Sequence, residues 1–265
     1  MITLSTIYYY PAKSMRGIQT TGAEVAERGL LHDRRWMLVD REGTFITQRQ
    51  HPSLARVSLH PAPGGWQIQA PAMPLLSIRV PDEDAQTGTV TIWRDEVAVQ
   101  HAGDEAADWF NRYTGVPGVQ LVYMPDMTRR RVDGHYADKG EIVSFADGFP
   151  FLLISTASLA DLNNRMQTPL PMSRFRPNLV VDGCTAFDED GWKRIRVGGL
   201  TFRLVKPCSR CKVTTVDQLT AETGKEPLKT LASYRRWDNE VWFGMNLVHE
   251  QTGELHTGSE VEVLE

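Results

Sequence analysis

Two cysteines three positions apart, Cys208 and Cys211, have the residue type and spacing best suited to chemistry in this chain. Basic residues flank both thiols within residues 206–212. Four interpretations fit the pair: half of a zinc site, a redox-active dithiol, two ordinary cysteines at a strand end, or one thiolate that binds a soft transition metal and is stabilised by the neighbouring cations. The spacing alone does not decide among them.

The first two interpretations need partners that the sequence does not offer. A structural zinc site has four ligands; Cys184 supplies a third, and no adjacent cysteine or histidine pair completes the set. A thioredoxin-like dithiol needs a helix that starts at the motif, whereas residues 212–216 have the pattern of a strand. The seven histidines show no metal-binding spacing. Ordinary cysteines and a metal-binding thiolate remain open.

Three other segments carry basic residues suited to binding an anion. Lys13-Ser14, after a predicted strand, can present an ammonium and a hydroxyl to a phosphate. Arg34 starts another strand, and Arg176 lies two positions before Asn178, whose amide could hydrogen-bond the edge of a heterocycle. Each segment alone could be a solvated turn or a surface charge cluster. Together they predict cations that converge on an anionic ligand beside a thiolate.

The elements that must position these residues are mainly short strands separated by glycine and proline, a pattern typical of a barrel or sandwich. Alternating or apolar runs predict strands over residues 3–9, 36–39, 45–47, 66–69, 90–93, 97–99, 151–154, 179–181, 195–197, 202–205, 213–216 and 261–264.

Helical periodicity predicts three helices: one capped by Asp104 and ending at Gly115, one capped by Ser155, and one from Pro227 to near Tyr234. Residues 123–139 are predicted to form a long loop, and the arginine triplet 129–131 within it is interpreted as a solvated face. We place a domain boundary near residues 118–125.

Composition excludes several classes of protein. The chain has 265 residues, 41% of them hydrophobic, which excludes bulk disorder. Its formal net charge of -4 argues against a general nucleic-acid-binding surface. No apolar run approaches the roughly 18 residues of a membrane span. Three cysteines are too few for a secreted disulfide framework, so we expect a cytoplasmic location and no membrane association.

With these residues in place, the chain resembles the MOSC family preceded by its N-terminal β-barrel domain, and is similar to the mitochondrial amidoxime-reducing component and its bacterial relatives. The resemblance implies a mainly β fold with some α structure (α+β): an N-terminal β-barrel-like domain, residues 1–120, and a MOSC β-barrel with flanking helices, residues 121–265. Eight blocks carry it, over residues 10–14, 29–30 with 33–36, 47–50, 158–163, 175–178, 208–211 with 214–217, 226–228 with 234–235, and 243–244.

The resemblance implies a molybdenum cofactor, in which a pyranopterin dithiolene with a phosphate holds the metal. Cys211 matches the cysteine that also ligates molybdenum, and Asp147 matches an acid near the metal that could handle a proton. The remaining matched residues share a role in holding the cofactor. They are Lys13, Ser14 and Arg34 at the phosphate, Arg176 and Asn178 at the pterin and phosphate, and Ser209 and Arg210 beside the ligand.

Two positions depart from the family's pattern. Gly148-Phe149 stands where mitochondrial members have hydroxyl residues, so a cofactor contact at Phe149 would involve the backbone only. Asn246 stands in place of a tyrosine and predicts a more polar pocket floor. Cys208 is expected to be structural, because one protein thiolate is enough for such a site.

The function implied is a molybdenum-dependent oxidoreductase that reduces small N-hydroxylated or N-oxygenated substrates such as hydroxylamino-purines and amidoximes. The chain has too few cysteines for an iron–sulfur cluster, so we expect electrons from a separate ferredoxin, flavoprotein or cytochrome-type partner. Two alternatives stay open: a persulfide sulfur carrier on Cys211, and a protein that binds the molybdenum cofactor without catalysis.

Overall fold

The computed structural model describes residues 1–138 and 140–265. Within them, nineteen strands form: β1 Ile2–Tyr9, β2 Ile18–Thr20, β3 Gly22–Ala26, β4 Gly29–Leu30, β5 Trp36–Val39, β6 Ser58–Ala62, β7 Gly65–Gln69, β8 Leu76–Arg79, β9 Thr87–Ile92, β10 Asp95–His101, β11 Gln120–Tyr123, β12 Phe151–Ser155, β13 Leu179–Asp182, β14 Arg194–Val197, β15 Leu200–Ser209, β16 Arg236–Trp237, β17 Glu240–His249, β18 Gly253–His256 and β19 Glu260–Val263.

Helices are few and short. The described residues contain the α-helices α1 Asp104–Thr114, α2 Thr156–Asn164 and α3 Leu228–Leu231, and 3-10 helices at Pro52–Arg56, Met172–Arg174, Asp188–Asp190 and Lys212–Thr215. None of the helices in the described part of the chain has the length and apolar character needed to cross a membrane. The mainly β architecture with some α structure is confirmed.

Seven strands close into a barrel in the order β12-β13-β1-β19-β14-β15-β17, and β17 pairs again with β12. The β12–β13 pair is parallel and the other pairs are antiparallel. Inward-facing apolar side chains from several strands fill the interior, among them Leu4, Leu153, Leu179, Phe202 and Leu247. Burial of this apolar surface is the main stabilising contribution to the barrel.

The N-terminal segment contributes a barrel strand and a second group of sheets. β1 lies between β13 and β19, while β5-β11-β10-β9 and β6-β7-β8 form separate sheets. Strands of both sheets pack with α1 around a core that contains Trp36, Trp109 and Phe110. The chain leaves the barrel at Tyr9 and enters the turn that holds Lys13, so barrel and turn are covalently continuous.

Most predicted elements are confirmed, and the differences have local causes. Gly103, with φ 93°, occupies the N-cap of α1 instead of Asp104, which becomes its first residue. Predicted strand 45–47 shows only an isolated bridge, between Val39 and Phe45. Helix α3 ends at Leu231, before the predicted end near Tyr234.

The prediction of a strand over 213–216 is wrong, because Lys212–Thr215 is a 3-10 helix. Two hydroxyls explain the difference: Thr214 Oγ1 donates to the carbonyl of Cys211 at 3.0 Å, and Thr215 Oγ1 to that of Lys212 at 2.8 Å. Such local hydrogen bonds compete with strand pairing.

Candidate functional site

All eleven residues proposed from the sequence line one cleft, whose empty space, including the part open to solvent, is about 820 Å³. The eleven residues are Lys13, Ser14, Arg34, Asp147, Phe149, Arg176, Asn178, Ser209, Arg210, Cys211 and Asn246. The cleft therefore assembles side chains from both ends of the chain.

The turn after β1 places Lys13 and Ser14 in the cleft. A bridge between Ala12 and Trp36 fixes the turn beside β5. The ammonium of Lys13 is buried and donates to the carbonyl of Phe145 at 2.9 Å and to Asp147 Oδ1 at 2.5 Å. Burial lowers the pKa of Lys13, although the charge of Asp147 opposes this shift. The lysine is thus held in place by the segment that carries the acid.

Asp147 presents its carboxylate to the cleft, with 67% of the side chain exposed. Desolvation in the cleft raises the pKa of Asp147, but the charge and hydrogen bond of Lys13 outweigh it, helped by Arg49 and Arg34, so the pKa lies below its usual value. Asp147 is therefore ionised at neutral pH, where it accepts hydrogen bonds and is a poor proton donor.

Two arginines of the cleft stack on one aromatic ring. The guanidinium carbons of Arg34 and Arg176 lie 4.3 and 4.1 Å from the ring centroid of Tyr10. Both arginines have left-handed backbones, with φ of 48° and 56°. Arg34 donates to Asp33 at 2.6 Å, and Arg176 donates to the carbonyl of Met15 at 2.5 Å. Burial lowers the pKa of Arg176 to about 10, so it remains charged at neutral pH.

The side chain of Asn178 is fully engaged by the protein. Its Oδ1 accepts from Arg34 at 3.0 Å and from the backbone N–H of Leu152 at 3.3 Å. Its Nδ2 donates to the carbonyl of Tyr8 and to Asp33, both at 3.2 Å. These four bonds use the amide's hydrogen-bonding groups. Asn178 therefore positions Arg34, and the expected side-chain bond to a heterocycle has no free donor.

The two cysteines lie in different environments at the end of β15. Arg210 donates from Nη1 to Cys208 Sγ at 2.9 Å and from Nη2 to the carbonyl of Phe175 at 2.6 Å. Cys211 follows the strand, caps the next 3-10 helix and is exposed, and its thiol makes no hydrogen bond to the residues described. Cys211 is the thiol available to a ligand.

A zinc site has no support among the described residues, where no three His, Cys, Asp or Glu side chains are grouped to hold a metal. Cys184 packs against the barrel core, does not line the cleft, and burial raises the pKa of its thiol. All three cysteines are free.

The end of β15 is turned toward the cleft by irregular pairing. Its register with β17 shifts between Leu204 and Lys206 and again between Pro207 and Ser209. Bulges of this kind re-aim side chains. Asn246 Nδ2 donates to the carbonyls of Lys206 and Pro207, both at 3.3 Å, and so ties the two strands together beneath the cysteines.

The interpretation of residues 129–131 as a solvated face is wrong for Arg130, which is buried. Its guanidinium donates to the carbonyls of Ser144, Ala146 and Asp147 at 2.9, 2.5 and 3.2 Å, and Nε donates to Asp95 at 2.8 Å. Arg129 and Arg131 are exposed, as predicted. Arg130 therefore fixes the backbone that carries the acid of the cleft.

Two lining residues, Thr47 and Arg49, were not predicted to have a role. They belong to the block over residues 47–50, which supported the family resemblance without suggesting a function. That block is the sequence signal from which a role for Thr47 and Arg49 could have been predicted.

Comparison with known proteins gives two family matches. Residues 1–117 match the MOSC N-terminal beta barrel domain and residues 140–262 match the MOSC domain. The chain belongs to the MOSC family. The bovine mitochondrial amidoxime reducing component 2 is 34% identical to this MOSC protein, over 98% of this chain and 82% of its own length. The rat component 2 is 35% identical with the same coverage, and the human component 1 is 32% identical over 99% of this chain and 83% of its own.

The donor set of this MOSC protein suits an anionic ligand with a soft metal. Five of the lining residues are basic (Lys13, Arg34, Arg49, Arg176 and Arg210), and Asp147 is the one acid among the described lining residues. In addition, Arg210 Nε is buried and has no hydrogen-bond partner among the described residues. Buried N–H groups of this kind are rare unless a ligand or water satisfies them. A phosphate fits the excess positive charge, and the thiolate of Cys211 fits a soft metal.

Proposed function

We propose that this protein is a molybdenum-cofactor-dependent oxidoreductase that reduces small N-hydroxylated compounds. The observation that carries the proposal is the exposed thiol of Cys211, which makes no hydrogen bond to the described residues and lies in a cleft lined by five basic side chains. Family membership supports it, because the relatives are named for amidoxime reduction and align over nearly the whole chain.

The residues that would hold the cofactor are those of the cleft. Cys211 would bind the metal, and the cations that would contact the phosphate and pterin are Lys13, Arg34, Arg176 and Arg210. The hydroxyl of Ser14 would add a neutral donor. When bound, the cofactor supplies the two-electron redox chemistry needed to cleave an N–O bond. Charge-assisted hydrogen bonds would retain a group attached through only one thiolate.

Lys13 and Asp147 are the residues that would handle protons in the reaction. Reduction of an N-hydroxyl group to an amine and water consumes two protons as well as two electrons. Asp147 is ionised, so its carboxylate would orient a substrate hydroxyl or a water by accepting a hydrogen bond. Lys13 holds a proton at Nζ, 2.5 Å from that carboxylate, and would donate it to the substrate; burial lowers its pKa, and the charge of Asp147 opposes this shift.

Electrons are proposed to come from a separate electron-transfer protein of the ferredoxin, flavoprotein or cytochrome type. The sequence has three cysteines, and an iron–sulfur cluster held by cysteine alone needs four. With Cys211 assigned to molybdenum, two cysteines would remain for such a cluster.

The first test compares Cys211→Ala with Cys208→Ser in protein from a host that makes the cofactor. We expect about one molybdenum per chain in the wild type and in Cys208→Ser, and almost none in Cys211→Ala, because one thiolate ligates the metal. Plasma mass spectrometry measures the metal, and a reduced viologen dye supplies electrons for an amidoxime assay. Full activity in Cys211→Ala would sink the assignment.

The same samples discriminate the alternatives. A sulfur carrier would purify without molybdenum, and intact mass would show one added sulfur atom that is lost in Cys211→Ala. A cofactor-binding protein without catalysis would contain molybdenum in the wild type and reduce neither amidoximes nor N-hydroxylated purines with the dye.

A further inference from the structure

Arg49 lines the cleft, and two aromatic rings lie against its guanidinium. The guanidinium carbon of Arg49 lies 4.9 Å from the ring centroid of Trp93 and 5.8 Å from that of Phe45. The two rings are 5.1 Å apart. Phe45 also lies 5.4 Å from the ammonium of Lys13. We call Phe45, Arg49 and Trp93 the Arg49 wall.

The guanidinium of Arg49 differs from the other arginines that line the cleft. Arg34, Arg176 and Arg210 each donate to a carboxylate or carbonyl of the protein. Arg49 makes no side-chain hydrogen bond or ion pair with any residue in 1–138 and 140–265, although it is half-buried and lines the cleft. Its five N–H donors are available to a ligand.

Trp93 is held in an uncommon conformation at the surface. It lies in the turn between β9 and β10 with φ 57°, where bulky residues are rare, and 49% of it is exposed. Residues kept in such conformations cluster at ligand-binding sites. An indole with this much exposed surface can stack on a further ring.

The β9–β10 hairpin is attached to the segment that carries the acid of the cleft. Asp95, next to the turn, accepts from Arg130, whose Nη2 donates to the carbonyl of Asp147. Thr91 on β9 donates its backbone N–H to the carbonyl of Gly43, two residues before Phe45. The Arg49 wall is therefore fixed relative to Asp147.

We propose that the Arg49 wall is a substrate subsite that stacks the planar ring of an N-hydroxylated heteroaromatic compound, while Arg49 donates to a ring nitrogen or carbonyl. This inference rests on the proposed function. Stacking on an aromatic face and a guanidinium discriminates by shape and π surface. A small alkyl amidoxime has neither an aromatic face nor ring acceptors and gains nothing from the wall. The subsite thus favours planar ring substrates over open-chain ones.

The test uses cofactor-loaded protein with Trp93→Ala, Arg49→Ala and the control Trp237→Ala. Trp237 is similarly exposed at 40% and stacks on Trp242 and Arg235, neither of which lines the cleft. Reduced viologen supplies the electrons, so no protein partner is involved. We expect each wall variant to raise KM for N-hydroxylated adenine about tenfold, the scale of losing one stacked ring, and Trp93→Ala to leave KM for acetamidoxime unchanged.

Three results would overturn the subsite: equal changes in KM for the two substrates, no change in either wall variant, or an equal change in Trp237→Ala. Loss of molybdenum from Arg49→Ala without a substrate-selective change in KM would assign Arg49 to the cofactor instead.

Binding of adenine, followed by intrinsic fluorescence, separates failure of the subsite from failure of the proposed function. If the wild type reduces neither substrate, the proposed function fails, and the binding of adenine alone then decides whether the subsite exists. Binding weakened about tenfold in both wall variants and unchanged in Trp237→Ala supports the subsite. Equal binding by all four proteins, or no binding to the wild type, contradicts it.

Discussion

Tyr10 organises the cationic side of the cleft through a single buried ring. Only 2% of Tyr10 is exposed, and its hydroxyl donates to the carbonyl of Pro177 at 3.0 Å. Burial raises the pKa of this hydroxyl, so the phenol stays neutral beside the two arginines that stack on its ring. Two cations so close repel each other, and the ring together with the buried carboxylate of Asp33 offsets that repulsion.

Gly17→Ala tests how far the site depends on this ring. A Cβ at Gly17 would lie 2.4 Å from Tyr10 Cε1, so the ring must move. We expect a loss of about 1–3 kcal/mol in the free energy of unfolding, as for an overpacked core, and lower molybdenum content because Arg34 and Arg176 shift. Urea unfolding and metal analysis are the measurements.

Gly134→Ala is the matched control, since a Cβ there would meet no atom of residues 1–138 and 140–265 within 4 Å. Its stability should stay within about 0.5 kcal/mol of the wild type. Unchanged molybdenum content in both glycine variants would show that Tyr10 does not position the arginines for the cofactor.

At the scale of elements, the segment 144–147 has no regular secondary structure, and one buried guanidinium, that of Arg130, stabilises it. Arg130 donates hydrogen bonds to three of the segment's backbone carbonyls, and Lys13 donates to the carbonyl of Phe145. An irregular segment held in this way can place a carboxylate as firmly as a strand would.

Arg129 and Arg130 form a matched pair for a substitution test, because the first is exposed and the second is buried. Arg130→Met should destabilise the protein by about 3 kcal/mol, because carbonyls and the carboxylate of Asp95 lose a charged donor inside the protein. Arg129→Met removes an exposed ion pair with Glu27 and should cost less than about 1 kcal/mol. Urea midpoints measure both effects. Equal losses in the two variants would contradict the buried role of Arg130.

The sequence predicts long, regular strands and chemical residue types better than it predicts irregular segments. Strands such as β1 and β12 follow from their apolar patterns, and the anion-binding residues follow from their type. Arg129, Arg130 and Arg131 are identical in type, so only the tertiary fold distinguishes the buried one. The 3-10 helix after Cys211 contains β-branched residues typical of a strand, and its hydroxyl bonds are visible only in the structure. Arg49 is identified because its guanidinium has no hydrogen-bond or ion-pair partner in the part of the chain that the structure describes, which the sequence alone cannot show.

At the scale of the whole molecule, the barrel depends on a strand from the far end of the chain. β1 lies between β13 and β19, with Leu4 opposite Val181 and Ile2 opposite Val261. Pairings between residues so distant in sequence cannot be derived from local pattern, because they depend on long-range closure. The same strand leads into Lys13 and Ser14, so the strand that closes the barrel also positions two residues of the cleft.

The division into residues 1–120 and 121–265 stays a prediction, and the pairing of β1 gives it a test. Residues 121–265 alone would lack the strand between β13 and β19, leaving both edges unpaired and the apolar contacts of Leu4 and Ile7 missing. We expect this fragment to be unfolded or aggregated. Coexpression with residues 1–120 should restore a soluble complex, and molybdenum should appear only in that complex, because Lys13 and Arg34 come from the first piece. Circular dichroism, size-exclusion chromatography and metal analysis measure the outcome.

A cooperatively folding fragment 121–265 would show that the MOSC barrel closes without β1. Molybdenum in that fragment would show that the cations of residues 1–120 are dispensable for holding the cofactor.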